Sequence, residues 1–180
     1  MCRIRKHFPL PALVLALLAM LLGGCGGMKP LATVPYVDLP RFMGDWYVIA
    51  VIPTFLEKGA HNAVESYVLD DDGTIATTFT YREGSFDGER KEYNPRGFVL
   101  NTDTNAEWGM RFIWPIKADY RIVYLDEAYT TTIIGRNKRD YVWLMARAPA
   151  LSEERYRELA QLIGDMGYDT SLLVKVPQQW

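Results

Sequence analysis

From Asp45 to Arg147 the chain runs in short β-rich segments, many with alternating apolar and polar side chains, separated by turn residues. The pattern predicts strands over Trp46–Ile52, Val64–Leu69, Thr74–Tyr81, Arg96–Leu100, Glu107–Trp114, Tyr120–Leu125, Tyr129–Gly135 and Tyr141–Arg147. Asp71-Asp72-Gly73, Asp87-Gly88 and Asn137-Lys138-Arg139-Asp140 fall where tight hairpins are needed. Spacings this short suit antiparallel neighbours, because a parallel crossover needs about a dozen residues or more. Eight sequential antiparallel strands bury their faces best by closing on themselves, which also removes both edges. The expected fold is therefore all-β: an eight-stranded antiparallel up-and-down barrel.

Two strands carry the most information. In Ile75–Tyr81, Ile75, Thr77, Phe79 and Tyr81 share one face, and Ala76, Thr78 and Thr80 share the other. Tyr141–Arg147 is apolar on both faces, Tyr141, Trp143 and Met145 against Val142, Leu144 and Ala146, so something must cover its outer side. The one clear helix, Ser152 to Met166, is the candidate. Ser152 can cap it, Glu153 and Glu154 suit its positive end, and Gly167 can end it. Tyr156, Leu159, Ala160, Ile163 and Met166 recur at helical spacing on one face. One C-terminal helix packed outside the barrel completes the expected architecture, and Leu172–Val176 is a last extended piece.

Residues 1–24 differ in kind. Arg3, Arg5 and Lys6 precede an apolar stretch, Phe8 to Leu22, interrupted by Pro9 and Pro11 and short for a transmembrane helix. This is the pattern of a secretory signal. It ends in Leu22-Gly23-Gly24-Cys25, which resembles the bacterial lipobox; otherwise Cys25 is a stray thiol of a secreted chain. The lipobox resemblance implies cleavage before Cys25, lipid attachment to its sulfur and acylation, with palmitate, of the new amino terminus. Gly26 in place of Asp then implies sorting to the outer membrane, on its periplasmic face. Residues 1–24 are thus expected to be a lipoprotein signal peptide, residues 25–40 a lipidated tether rich in proline, and residues 41–180 the barrel domain.

Composition narrows the function. Of 180 residues, 49% are hydrophobic and 23% charged, which is a globular composition. Net charge is −2, and loss of the leader's three basic residues would leave 17 basic against 22 acidic side chains. No basic excess serves a nucleic-acid backbone, so no nucleic-acid partner is expected. With Cys25 as the only mature thiol, no internal disulfide forms. After cleavage His61 is the only histidine, placed in a loop at the barrel mouth, with no Gly-x-Ser-x-Gly near a serine, so no catalytic residue is assigned. Asp70-Asp71-Asp72-Gly73 lacks the spacing of a calcium loop and reads as a turn, and neither metal nor cofactor is expected. Arg136, Lys138 and Arg139 form a basic hairpin tip, solvated or facing an anionic headgroup.

Three motifs, in order, resemble those of the lipocalins: Gly44-Asp45-Trp46-Tyr47, Leu125-Asp126-Glu127-Ala128-Tyr129 with Leu in place of the usual Thr, and Tyr141-Val142-Trp143-Leu144-Met145-Ala146-Arg147. With the lipobox, they are similar to the bacterial outer-membrane lipoproteins of that family. The resemblance spans about Asp38 to Gln179. It implies that Gly44, Trp46 and Arg147 form a structural motif in which the guanidinium stacks on the indole and closes the barrel bottom.

It also implies a lipid ligand, a fatty acid or lysophospholipid, carried for storage or transport in envelope maintenance, with membrane attachment through acylated Cys25. Strand parity counted back from Arg147 and matched to the family's inward positions gives Tyr67, Phe79, Tyr81, Met110, Phe112, Ile122, Tyr124 and Trp143 as ligand-binding residues. Phe55 joins them from the loop over the mouth. Glu65 points inward or sits at the rim. Two readings stand beside this one: a lipid-modifying enzyme on the same barrel, and a scaffold whose aromatics fill it. An apolar mouth can also pair with a second copy as a homodimer.

Overall fold

The computed structural model describes residues 29–180. The expected signal peptide and Cys25 lie outside the described residues. Ten strands form one antiparallel sheet: β1 (Gly44–Ile52), β2 (Ala60–Leu69), β3 (Thr74–Glu83), β4 (Arg90–Tyr93), β5 (Arg96–Val99), β6 (Glu107–Ile113), β7 (Ile116–Leu125), β8 (Thr131–Gly135), β9 (Val142–Ala146) and β10 (Val174–Lys175). Each of β1 to β3 pairs with the next, β5 to β9 follow in the same way, and β9 returns to β1 to close the barrel. Both β4 and β5 pair with β3, so together they make one interrupted barrel strand and the closed barrel has eight. The break falls at Asn94-Pro95, where proline cannot donate to the ladder.

The period of two decides which side chains fill the barrel. Ile75, Thr77, Phe79 and Tyr81 are all buried on its inner face. On β9, Met145 and Trp143 belong to the interior cluster, whereas Val142, Leu144 and Ala146 belong to a second cluster outside. That outer cluster is covered by helix α2 (Glu153–Asp165) through Leu159 and Ile163. Ser152 caps the helix, its side chain accepting from the Arg155 amide.

At the closed end, a short helix α1 (Leu39–Phe42) lies under the barrel, capped by Asp38, and inserts the fully buried Phe42. The residues before it correct the expected tether. Leu31 and Val37 are buried, and the Val34 and Val37 amides donate to the carbonyls of Ile122 (3.0 Å) and Thr104 (2.8 Å). The Leu31 amide donates to Asn137 Oδ1 (2.8 Å) in the β8–β9 connection, at the opposite, open end. The chain thus runs down the barrel's outside from mouth to base. Gly135 makes room for it, since a Cβ there would come within 2.7 Å of Leu31 and 2.6 Å of the Tyr168 hydroxyl.

The C-terminal piece is a sealant. Strand β10 pairs with the upper half of β1, and Gln178 Nε2 donates to the carbonyls of Val48 (2.8 Å) and Ala63 (3.1 Å), bridging β1 and β2. Those two strands pair directly only over Gly44–Tyr47.

Candidate functional site

The upper part of the barrel holds a cavity of about 310 Å³ that opens between the β1–β2 loop and the β6–β7 hairpin. Its wall includes Phe55, Leu56, Phe79, Tyr93, Pro95, Met110, Phe112, Ile113, Ile116, Ala118 and Trp143. Below it the barrel is filled. Phe42, Trp46, Tyr67 and Trp108 pack together, with Phe42–Trp46 ring centroids 5.0 Å apart and Tyr67–Trp108 5.8 Å apart. The aromatic residues therefore do both things: the lower ones plug the barrel and the upper ones line a space.

The nine residues expected to meet a ligand divide accordingly. Phe55, Phe79, Met110, Phe112 and Trp143 lie on the cavity wall. Tyr67 and Ile122 point inward but belong to the packed floor beneath. Tyr81 faces inward off the cavity wall, stacked against Tyr93 at 6.3 Å, and its hydroxyl donates to the Leu56 carbonyl. Burial is the main cause that pushes this phenol up to about 12. Tyr124 is on the wrong face. The β7–β8 register shifts between Ile122 and Tyr124, a bulge that turns Tyr124 outward to accept a hydrogen bond from Arg155 of α2.

Other residues on the wall were not in that set. Thr54, Glu57, Thr77, Asp119, Tyr120, Arg136 and Tyr141 line the cavity. Thr77 and Tyr120 were within reach, since each lies two residues from an inward position on its strand. Glu57 was not, because a loop has no parity to count. Its carboxylate accepts from the Thr54 amide (2.9 Å) and from Trp143 Nε1 (3.0 Å), tying the mouth loop to β9.

Glu65 points inward, settling the alternative left open by its position in β2. Tyr67 donates its hydroxyl to the Glu65 carboxyl and stands 2.7 Å from the Tyr120 hydroxyl. Desolvation, with the nearby Glu57 charge, pushes the Glu65 carboxyl up to about 8. Burial and Glu65 together raise Tyr120 well above the ordinary phenol range. Among the described residues Arg136 is the one cation on the cavity wall, and it pairs with Asp140 (3.5 Å). His61 is not in the mouth loop but in β2, with Nδ1 3.0 Å from the Gly59 carbonyl and its ring 4.9 Å from that of Phe86.

The expected basal motif is present. The Arg147 guanidinium lies 3.8 Å from the centre of the Trp46 ring. It donates to the carbonyls of Arg41 (3.0 Å), Phe42 (2.9 Å), Met43 (2.7 Å) and Asp45 (2.7 Å), so one side chain caps the end of α1 and the start of β1. Gly44 sits beside it with φ of +91°, and a Cβ there would approach Arg147 Nη1 to 3.3 Å.

A family model for a lipocalin-like domain matches residues 37–178. The chain is 30% identical to temperature-induced lipocalin-1 of Arabidopsis thaliana, over 83% of this chain and 84% of that protein. It is 29% identical to the outer membrane lipoprotein Blc of Vibrio cholerae, over 93% and 99%. Among solved structures, insecticyanin from the tobacco hornworm Manduca sexta superposes with a TM-score of 0.62 at 14% identity, covering 86% of each chain, a likeness of fold. The cavity, the basal motif and these matches agree: the chain belongs to the lipocalin family, whose barrel binds small molecules.

Proposed function

We propose that this protein is a lipid-anchored carrier that holds one single-chain amphiphile, a fatty acid or lysophospholipid, for storage or transport in envelope maintenance, without turnover. The observation that carries this reading is the cavity itself: apolar, open at one end and about 310 Å³. That is near the lower limit for ligand pockets and suits one acyl chain rather than two. Burial of roughly ten methylenes at about 0.8 kcal/mol each would supply on the order of 8 kcal/mol before entropic costs.

The mouth supports exchange with a membrane. Phe55 (85% exposed), Ile113 (73%), Trp114 (79%) and Ile116 (69%) form an apolar rim, with Arg111 and Lys117 close by on the Phe98 ring. Exposed aromatic and aliphatic side chains beside cations suit the headgroup boundary of a bilayer. Leu31 fastens the chain at this same end, so an anchor at Cys25 would place the mouth toward the lipid. Together with the likeness to outer membrane lipoproteins, this supports outer-membrane attachment through acylated Cys25. A second copy could cover the same rim in a homodimer.

Residues 29–180 contain the whole barrel, the helix and both core clusters, so the chain from Gly26 onward carries the complete fold. The test is a tryptophan-fluorescence titration of that delipidated chain with a lysophospholipid and a fatty acid. Saturation at one ligand per chain, or per dimer, is expected. No saturable change with either would overturn the carrier reading.

A further inference from the structure

The cavity wall is mostly apolar, and three of its polar side chains lie at the floor. Glu65 on β2, Thr77 on β3 and Tyr120 on β7 all reach it there. They meet because Tyr67 pairs with Thr77 and Glu65 with Phe79 across β2 and β3, setting Glu65 and Thr77 diagonally on the inner face. Thr77 is only 3% exposed, and its hydroxyl has no hydrogen-bond partner. Buried hydroxyls are seldom left unmet, and each one costs about 1–3 kcal/mol.

Each ligand terminus fares differently on this floor. A methyl end would leave the Thr77 hydroxyl and a Glu65 oxygen facing hydrocarbon. A carboxylate would lie near Glu65 and Glu57, with Arg136 off at the mouth and engaged by Asp140. An ammonium would need Glu65 ionised, against the desolvation that keeps its carboxyl protonated at neutral pH. A neutral hydroxyl both donates and accepts, and so meets Thr77 and Glu65 in either protonation state.

We propose that Glu65, Thr77 and Tyr120 form a subsite for a neutral hydroxyl at the buried end of the ligand, so that the preferred ligand class is a hydroxylated single acyl chain entering hydroxyl first. The subsite rests on the carrier reading above. The anionic or zwitterionic end of such a ligand then lies at the mouth, near Arg136.

The test is displacement of a fluorescent fatty-acid probe from the chain beginning at Gly26. Competitors are dodecanoic and hexadecanoic acids, their ω-hydroxy derivatives and the matching ω-amino acids. At the chain length that fits, the ω-hydroxy acid is expected to bind about tenfold more tightly than the plain acid, the equivalent of about 1.4 kcal/mol. Thr77→Val, close in shape, should reduce that preference, and Glu65→Leu/Thr77→Val should reverse it, provided melting curves show a folded barrel. Glu65→Gln, still a neutral hydrogen-bonding group, should keep it. Equal binding of plain and hydroxylated acids at both lengths, tighter binding of the amino acids, or a preference untouched by Thr77→Val would each overturn the subsite and leave the carrier reading standing. Failure of every competitor and of the probe would remove both.

Discussion

The guanidinium of Arg147 and the indole of Trp46 stack at 3.8 Å across the base of the barrel, one from the end of β9 and the other from the start of β1. The pair brings the first and last barrel strands together where the sheet closes. Five backbone carbonyls, those of Arg41, Phe42, Met43, Asp45 and Tyr129, accept from the same guanidinium.

Arg147→Ala should therefore act on stability rather than on ligand affinity. It removes the guanidinium donor from those carbonyls, of which Phe42 keeps a bond from Trp46 Nε1 (2.8 Å), and it removes the stack, at a cost of about 2–3 kcal/mol. A fall in Tm on the order of 10 °C is expected, with affinity nearly unchanged, measured by thermal melting and titration of one preparation. Arg147→Lys should rescue little, because an ammonium cannot reach several carbonyls from one plane. A larger loss of affinity than of stability would place Arg147 at the ligand instead.

Glu65 should make the barrel less stable as pH rises. Its folded value, about 8, lies above the ordinary 4.5, so the folded state holds the proton more tightly than the unfolded chain. The stability it contributes is complete below pH 4.5 and is lost progressively as pH rises to about 8, with a slope of up to about 1.4 kcal/mol per pH unit. Subtracting the Tm profile of Glu65→Gln from that of the wild type should isolate this slope. Parallel profiles between pH 5 and 8 would refute it.

Trp143→Arg should abolish saturable binding while the barrel stays folded. The new guanidinium would occupy the apolar wall, and Glu57, which now accepts from the indole, would offer it a partner. Circular dichroism and fluorescence titration check the two halves separately. Unchanged affinity would remove Trp143 from the ligand.

The rim predicts a membrane contact that folding does not need. Ile113→Ser/Trp114→Ser/Ile116→Ser should lower co-sedimentation of the unacylated chain with phospholipid vesicles several-fold and leave Tm within a few degrees, since all three side chains are exposed. Equal sedimentation of wild type and variant would rule the rim out as the contact.

The legible parts of this sequence were those where one physical rule acts alone. Alternation gave β3 its inner face, and the doubly apolar β9 required a cover that α2 supplies. Strand β4, Arg90-Lys91-Glu92-Tyr93, escaped because three consecutive charged residues hide its period, and it is held by pairing to β3. Parity places Tyr124 on the inner side because it assumes an unbroken ladder, and the β7 bulge resets the count. Residues 31–40 read as a linker because they combine two prolines with a single charged side chain. Leu31 and Val37 nevertheless find pockets that only the folded barrel creates. Within the site, strand residues could be read from neighbours of known parity, whereas Glu57 depends on a loop conformation that no periodicity encodes.

The docking of Leu31 at the mouth also has a kinetic consequence. Five residues separate it from Cys25, and the six steps span about 20 Å when fully extended, shorter than the roughly 30 Å hydrocarbon core of a bilayer. A lipid group on Cys25 would keep the cavity on a leash, unable to diffuse away from its leaflet. Capture would then be governed by an effective concentration on the order of millimolar, set by the leash, and not by how much free lipid the surrounding fluid contains.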